Sequence, residues 1–154
     1  LNGARDGYYV DSEELAMPLI EEIVGNGLLL SLHCGINDPA KAHPWRIGNI
    51  AERFPEATVL MIHMGGAGAY PALHDSAFAI AKKHENIHLV GSEADPRAIV
   101  RAISDVGADR VLYGSDTPFV PMKYGLALYK TLLEEFTEAD AEKVMGNNMA
   151  KLLR

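Results

Sequence analysis

Four short apolar runs punctuate the chain: Leu28–Leu32, Thr58–Ile62, Ile87–Val90 and Arg110–Tyr113. None alternates cleanly between apolar and polar positions. Such runs are the habit of strands buried on both faces of a parallel sheet. The segments between them follow a helical period instead. Ser12–Val24 carries a stripe of Leu15, Leu19, Ile20, Ile23 and Val24, capped by Asp11 or Ser12 and ended by Gly25 and Gly27, with Pro18 expected to offset or kink its first turn. Further helices are predicted over Arg46–Phe54 (stopped by Pro55), Pro71–Lys83, Asp95–Val106 (capped by Asp95, stopped by Gly107), Leu126–Phe136, Glu138–Met145 (capped by Thr137) and Asn148–Leu153. The order is one helix, four βα units and terminal helices. That alternation predicts an α/β fold with an all-parallel sheet and right-handed crossovers.

Composition narrows the picture. The chain has 154 residues, enough for one domain over 1–154 but short for two. No linker or low-complexity tract interrupts it. The net charge of −7, with no basic cluster, argues against a nucleic-acid partner or an anionic membrane surface. No apolar run approaches the roughly 20 residues of a membrane span. A single cysteine, Cys34, rules out an internal disulfide framework and suits a reducing, cytoplasmic compartment. No signal peptide is visible, and the first residue is Leu1 rather than Met, which hints at a processed chain or a fragment.

The chemistry gathers where the strands end. The runs close in Leu32-His33-Cys34-Gly35, Ile62-His63-Met64-Gly65-Gly66, Val90-Gly91-Ser92-Glu93 and Tyr113-Gly114-Ser115-Asp116. His33, His63 and Asp116 therefore sit at the carboxyl ends of parallel strands, where α/β folds bind their ligands. Two imidazoles and a carboxylate suit a divalent cation of borderline softness, Zn²⁺ first, with Mn²⁺ or Fe²⁺ as alternatives. The competing reading is a set of hydrogen-bonded structural histidines and a turn aspartate.

Several stretches in order resemble the amidohydrolase superfamily, in its amidohydrolase-related (amidohydrolase 2) branch, which includes aminocarboxymuconate-semialdehyde decarboxylase and resorcylate-type decarboxylases beside hydrolases. They are Gly7-Tyr8-Tyr9 with Asp11, Leu30–Gly35, Ile62–Gly66, Val106–Phe119 (containing Gly-Ser-Asp-Thr-Pro-Phe) and Gly146–Leu153. The resemblance implies a partial TIM (β/α)8 barrel whose four runs are strands five to eight. It implies His33 as the strand-five metal ligand and His63 as the strand-six histidine that handles the water proton or touches substrate. Asp116 is implied as strand-eight ligand and proton shuttle. The parent enzyme would be a metal-dependent hydrolase attacking an amide, ester or lactone carbonyl of a small-molecule substrate. The alternative chemistry on the same residues is non-oxidative decarboxylation of an aromatic or enoic acid.

One departure matters. The family's first strand carries a His-x-His pair, and none occurs here. A barrel needs about 250 residues, so the chain is expected to be truncated before strand four or within its loop. A catalytic zinc site usually has three protein ligands. Two are too few to hold the metal tightly, and activity of this chain alone is not expected.

Smaller signals complete the inventory. His43 and Trp45 follow the first strand and are candidates for substrate contact, as is Phe119, which with Pro121 would line a pocket mouth. Cys34 should face away from His33, because neighbours on a strand point to opposite sides. His74, His84 and His88 read as structural, Glu93 as a solvent residue, and Arg97 and Arg101 as solvated. Residues 65–68 look like a tight turn leaving space near His63. A non-catalytic reading also stands: a half-barrel with two open sheet edges would self-associate as a homo-oligomer. A flavodoxin-like module using residues 65–68 predicts a bound nucleotide or flavin.

Overall fold

The structure is a computed structural model that describes residues 1–35, 37–67 and 70–154. Four strands form one all-parallel sheet in sequence order: β1 (Leu30–His33), β2 (Val59–Ile62), β3 (Ile87–Val90) and β4 (Val111–Leu112). The first three coincide with the apolar runs to within two residues. The fourth is shorter than its run, because Tyr113 turns its N–H to the Val144 carbonyl at 2.9 Å instead of to a neighbouring strand.

Register explains how one sheet builds both a core and a site. Leu32, Met61, Leu89 and Val111 lie in one cross-strand row, and His33, Ile62, Val90 and Leu112 in the next. The first row belongs to the main core, packed with Ile47, Ile50, Phe78, Ala81 and Ile99 of the helices. The second row faces the other way. There Leu60, Val90 and Leu112 form a small separate cluster, with Met149 and Leu152 against it. Cys34 follows the first row's parity: it is buried in the main core, its thiol donating to the Ala42 carbonyl at 3.1 Å.

The helices are α1 (Gly3–Asp6), α2 (Met17–Gly25), α3 (Pro44–Arg53), α4 (Ala72–Lys83), α5 (Pro96–Asp105), α6 (Met122–Leu133), α7 (Glu138–Glu142) and α8 (Asn148–Leu152). Their starts depart from the periodicity in an instructive way. α2 begins at Met17 rather than Ser12, because Pro18 is tolerated only in a first turn, where its missing N–H goes unneeded. α3 begins two residues early for the same reason, at Pro44. α6 begins at Met122, right behind Pro121. A π-helical turn, Lys143–Asn147, joins α7 to α8 where one continuous helix was expected through Met145. The one-turn α1 has no periodic signature and was not foreseen.

Asn148 accounts structurally for part of the Gly-Asn-Asn segment. It is buried, and its amide donates to the carbonyls of Ala108 (2.7 Å) and Val111 (2.9 Å), tying α8 to the start of β4. At the other end of the chain, the Leu1 amino group donates to the Ser31 carbonyl (2.7 Å) and the His33 N–H to the Leu1 carbonyl (2.9 Å). This alternation of bonds is that of a parallel pairing on the edge of β1. It places Asn2 and Arg5 beside the carboxyl end of the sheet. Among the described residues, no helix is long and apolar enough to cross a membrane.

Candidate metal-site cleft

At the carboxyl ends of the strands lies a cleft of about 340 Å³ that brings together His33, His63, Asp116 and Phe119. Asn2, Arg5, Asn37 and Glu93 complete its described lining. The three residues expected from the strand ends thus share one space. The His33 and His63 rings meet edge to face, 4.8 Å between centroids and 81° between planes.

The backbone reaches this arrangement at a cost. His63, Glu93 and Asp116 follow β2, β3 and β4, and each has a positive φ, of 64°, 51° and 60°. Left-handed backbone disfavours a residue with a Cβ, and such residues concentrate at sites where geometry serves function. His63 shows what the conformation achieves. It directly follows Ile62, an inward residue, so strand alternation alone would send it into the helical layer. The left-handed turn His63–Gly65 brings its ring back beside His33. Gly35 makes the neighbouring turn possible: at φ 75°, a Cβ there would lie 1.8 Å from the Gly65 carbonyl oxygen.

His33 is half-buried, and its Nε2 is buried without a hydrogen-bond partner among the described residues. Burial, aided by the nearby His63, pushes its imidazole pKa down to about 4, against an upward pull from Asp116. The ring is therefore neutral near pH 7, with a basic nitrogen to offer a cation. His63 is almost fully buried, and its Nδ1 lies 2.8 Å from the Ser92 carbonyl and 3.0 Å from the Ser92 hydroxyl. A carbonyl can only accept, so Nδ1 carries the proton and Nε2 is left as a base.

The donor set can be tested for fit to a divalent metal. The orphaned His33 Nε2 is the type of nitrogen such a cation takes, and Asp116 lines the same cleft. Both fit as part of a coordination set. Among the described residues, no group of three His, Cys, Asp or Glu side chains converges closely enough to hold a metal ion.

Other expected residues lie elsewhere. His43 caps α3, its Nδ1 accepting from the Trp45 N–H at 3.3 Å, because Pro44 opens the helix and commits the preceding residue to the cap. Trp45 is exposed, and the Arg46 guanidinium lies 4.2 Å from its ring centroid and 4.2 Å from that of Tyr9. Neither His43 nor Trp45 lines the described cleft. Glu93, expected in solvent, is exposed but borders it. Asn2, Arg5, Asn37 and Ser92 were not foreseen. Ser92 had a signal, since it ends a strand as the others do; the rest depend on loop paths that periodicity does not encode. The turn over 65–68 is described through Ala67, and Gly68 lies outside the described residues.

A sequence model described as Amidohydrolase matches residues 1–154. A search of curated proteins gives no match. Among solved structures, an uncharacterised TIM-barrel protein from Bordetella bronchiseptica is 25% identical, with a TM-score of 0.79 over 94% of this chain and 52% of its own. The 2,6-dihydroxybenzoate decarboxylase from Rhizobium is 19% identical, with a TM-score of 0.71 over 94% and 56%. A dihydroxybenzoic acid decarboxylase from Polaromonas, solved with bound manganese and 2-nitroresorcinol, is 19% identical, with a TM-score of 0.68 over 94% and 55%. The chain thus spans about half the length of the structures it matches, and its four βα units form part of a TIM barrel.

Proposed function

This chain belongs to the amidohydrolase family, and on that premise we propose that it carries one part of a metal-dependent active site for hydrolysis at a carbonyl carbon. The observation that carries the proposal is the convergence of His33, His63 and Asp116 on one cleft, with His33 Nε2 buried and unpaired. His33 and Asp116 would hold the cation, and further ligands must come from outside the described residues. When bound, a divalent metal acts as a Lewis acid and makes water a nucleophile at neutral pH. His63, held by Ser92 with Nδ1 protonated, receives a proton at Nε2 and returns it to the leaving group. Asp116 combines negative charge with a second place for a proton.

Manganese is the cation bound by two structures sharing the fold, and zinc remains compatible with an imidazole–carboxylate pair. The decarboxylases among those structures favour a second reading, loss of CO₂ from an aromatic or enoic acid. There His63 Nε2 serves in its protonated form, delivering a proton to the substrate carbon. Product analysis separates the two: CO₂ release for one, a new carboxylic acid for the other.

Titration of the chain with Mn²⁺ or Zn²⁺, followed by calorimetry, tests the site. Weak binding is expected, because a two-donor set falls short of the usual three protein ligands. It should disappear in both His33→Ala and Asp116→Asn. Binding that survives both substitutions would overturn the proposal.

A further inference from the structure

His74 is a buried titratable side chain outside the cleft. It lies in the first turn of α4 and is 2% exposed. Its Nδ1 is 2.8 Å from the Met64 carbonyl oxygen. A carbonyl only accepts, so Nδ1 carries the proton and donates. Nε2 is buried with no hydrogen-bond partner among the described residues. An imidazole is thus a costly way to fill this space, because an unsatisfied buried nitrogen loses its hydration without return. An apolar side chain would pack beside Phe78, whose ring centroid is 6.2 Å away and nearly parallel, without that loss. What it could not do is donate to Met64.

The bond matters because of where Met64 stands. It is the middle residue of the left-handed turn His63–Gly65, with φ 47° after the 64° of His63. Side chains disfavour this backbone region, so it persists only where the surroundings hold it. The turn is pressed against α4: a Cβ on Gly65 would lie 2.7 Å from the Ala77 Cβ and 2.9 Å from the Leu73 carbonyl oxygen. His74 bonds the turn from that same helix. From the opposite direction Ser92, after β3, holds the His63 ring. Two elements therefore fix His63, β3 through its ring and α4 through the backbone of the next residue.

We infer that His74 is a positioning residue: its Nδ1–H, acting through the Met64 carbonyl, holds the left-handed turn that presents His63 to the cleft with Nε2 free. The value of that arrangement for catalysis rests on the proposed function; the mechanical link does not.

The test reads the tautomer of His63 by nitrogen NMR, in the whole chain carrying isotope-labelled histidine, at about pH 8, where an ordinary imidazole is neutral. Comparison with His63→Gln assigns its signals among the six histidines. Wild type is expected in the Nδ1–H form, as the Ser92 carbonyl requires. His74→Phe keeps a buried ring and removes the donor. The ratio of Nδ1–H to Nε2–H forms at His63 should then fall about three- to tenfold, the equivalent of one neutral hydrogen bond. His74→Asn places an amide N–H near the position of Nδ1 and should restore the ratio. A residue that only filled space would give the reverse order, since Phe replaces the lost volume better than Asn. Where thermal melts show the Phe chain unfolded, His74→Leu takes its place. A wild-type ratio in the folded Phe or Leu variant, or an Asn variant shifted as far as they are, would overturn the inference. His33 and Asp116 are untouched, so failure of the metal titration and failure of this link remain distinguishable.

Discussion

Single side chains in this molecule do work that their residue type alone does not announce. Arg46 bonds the Asp11 carboxylate at 2.7 Å, stacks between the rings of Tyr9 and Trp45, and donates to the Ala40 carbonyl at 2.8 Å. The pair is largely buried, with 19% and 11% of the two side chains exposed, so it is screened less than a surface ion pair. Removing one partner leaves the other poorly compensated. Arg46→Met should therefore cost about 2 kcal/mol, read as a lower urea midpoint with an unchanged slope. Arg46→Lys should recover only part of it, since an ammonium cannot reproduce the planar stacking and forked bonding. An unchanged midpoint in Arg46→Met would show that the cluster contributes nothing. This network also explains Trp45. Its position in sequence suggested a substrate wall; in the fold its ring stacks on the guanidinium that also covers Tyr9, linking α3 to the amino-terminal segment.

At the scale of elements, caps and prolines decide where helices start. Asp95 accepts the Arg97 N–H at 2.8 Å, and its neighbour Pro96 opens α5. The Arg97 side chain, together with that backbone bond, holds the Asp95 carboxyl below the usual carboxylate range. A carboxyl with a lowered folded-state pKa contributes stability above its unfolded value of about 3.9, and that contribution is lost as pH falls through the folded value. Asp95→Ala should cost about 1 kcal/mol at pH 7, and the difference in Tm from wild type should shrink as the pH is taken below about 4. A difference that stays constant down to acid would mean that the charged cap is not the cause. The strand-to-loop junctions follow another logic. Left-handed residues after β2, β3 and β4 turn His63, Glu93 and Asp116 into one cleft, so the elements end in strained backbone where the chemistry gathers.

For the whole molecule, the four-stranded sheet has two ends that are paired only in part. One is the edge of β1, bonded to Leu1, and the other is the two-residue β4. Unpaired parallel edges template further strands. Phe119, Met122, Tyr124 and Leu128, on α6 and the loop before it, are all exposed, Phe119 at 84%. Several large apolar side chains exposed along one short segment suit an interface better than a free surface. We expect the chain to self-associate, with sedimentation equilibrium giving a mass at least twice the protomer's 16.7 kDa. A monodisperse monomer at tens of micromolar would refute that.

The sequence by itself determined the alternation of strands and helices, the parallel sheet and the family, because burial on both faces and helical period are local signals. It also marked His33, His63 and Asp116, since each sits within a few residues of the end of an apolar run. Tertiary structure alone decided the rest. It turned His63 against strand parity through a left-handed backbone, and paired it with Ser92 across two strands. It drew Asn2 and Arg5 into the cleft through the bonds of Leu1 to β1, and led His43 and Trp45 away through a proline-opened helix. Periodicity records which face of an element is buried, whereas loop paths, close backbone approaches and unpaired buried groups depend on residues far apart in the chain.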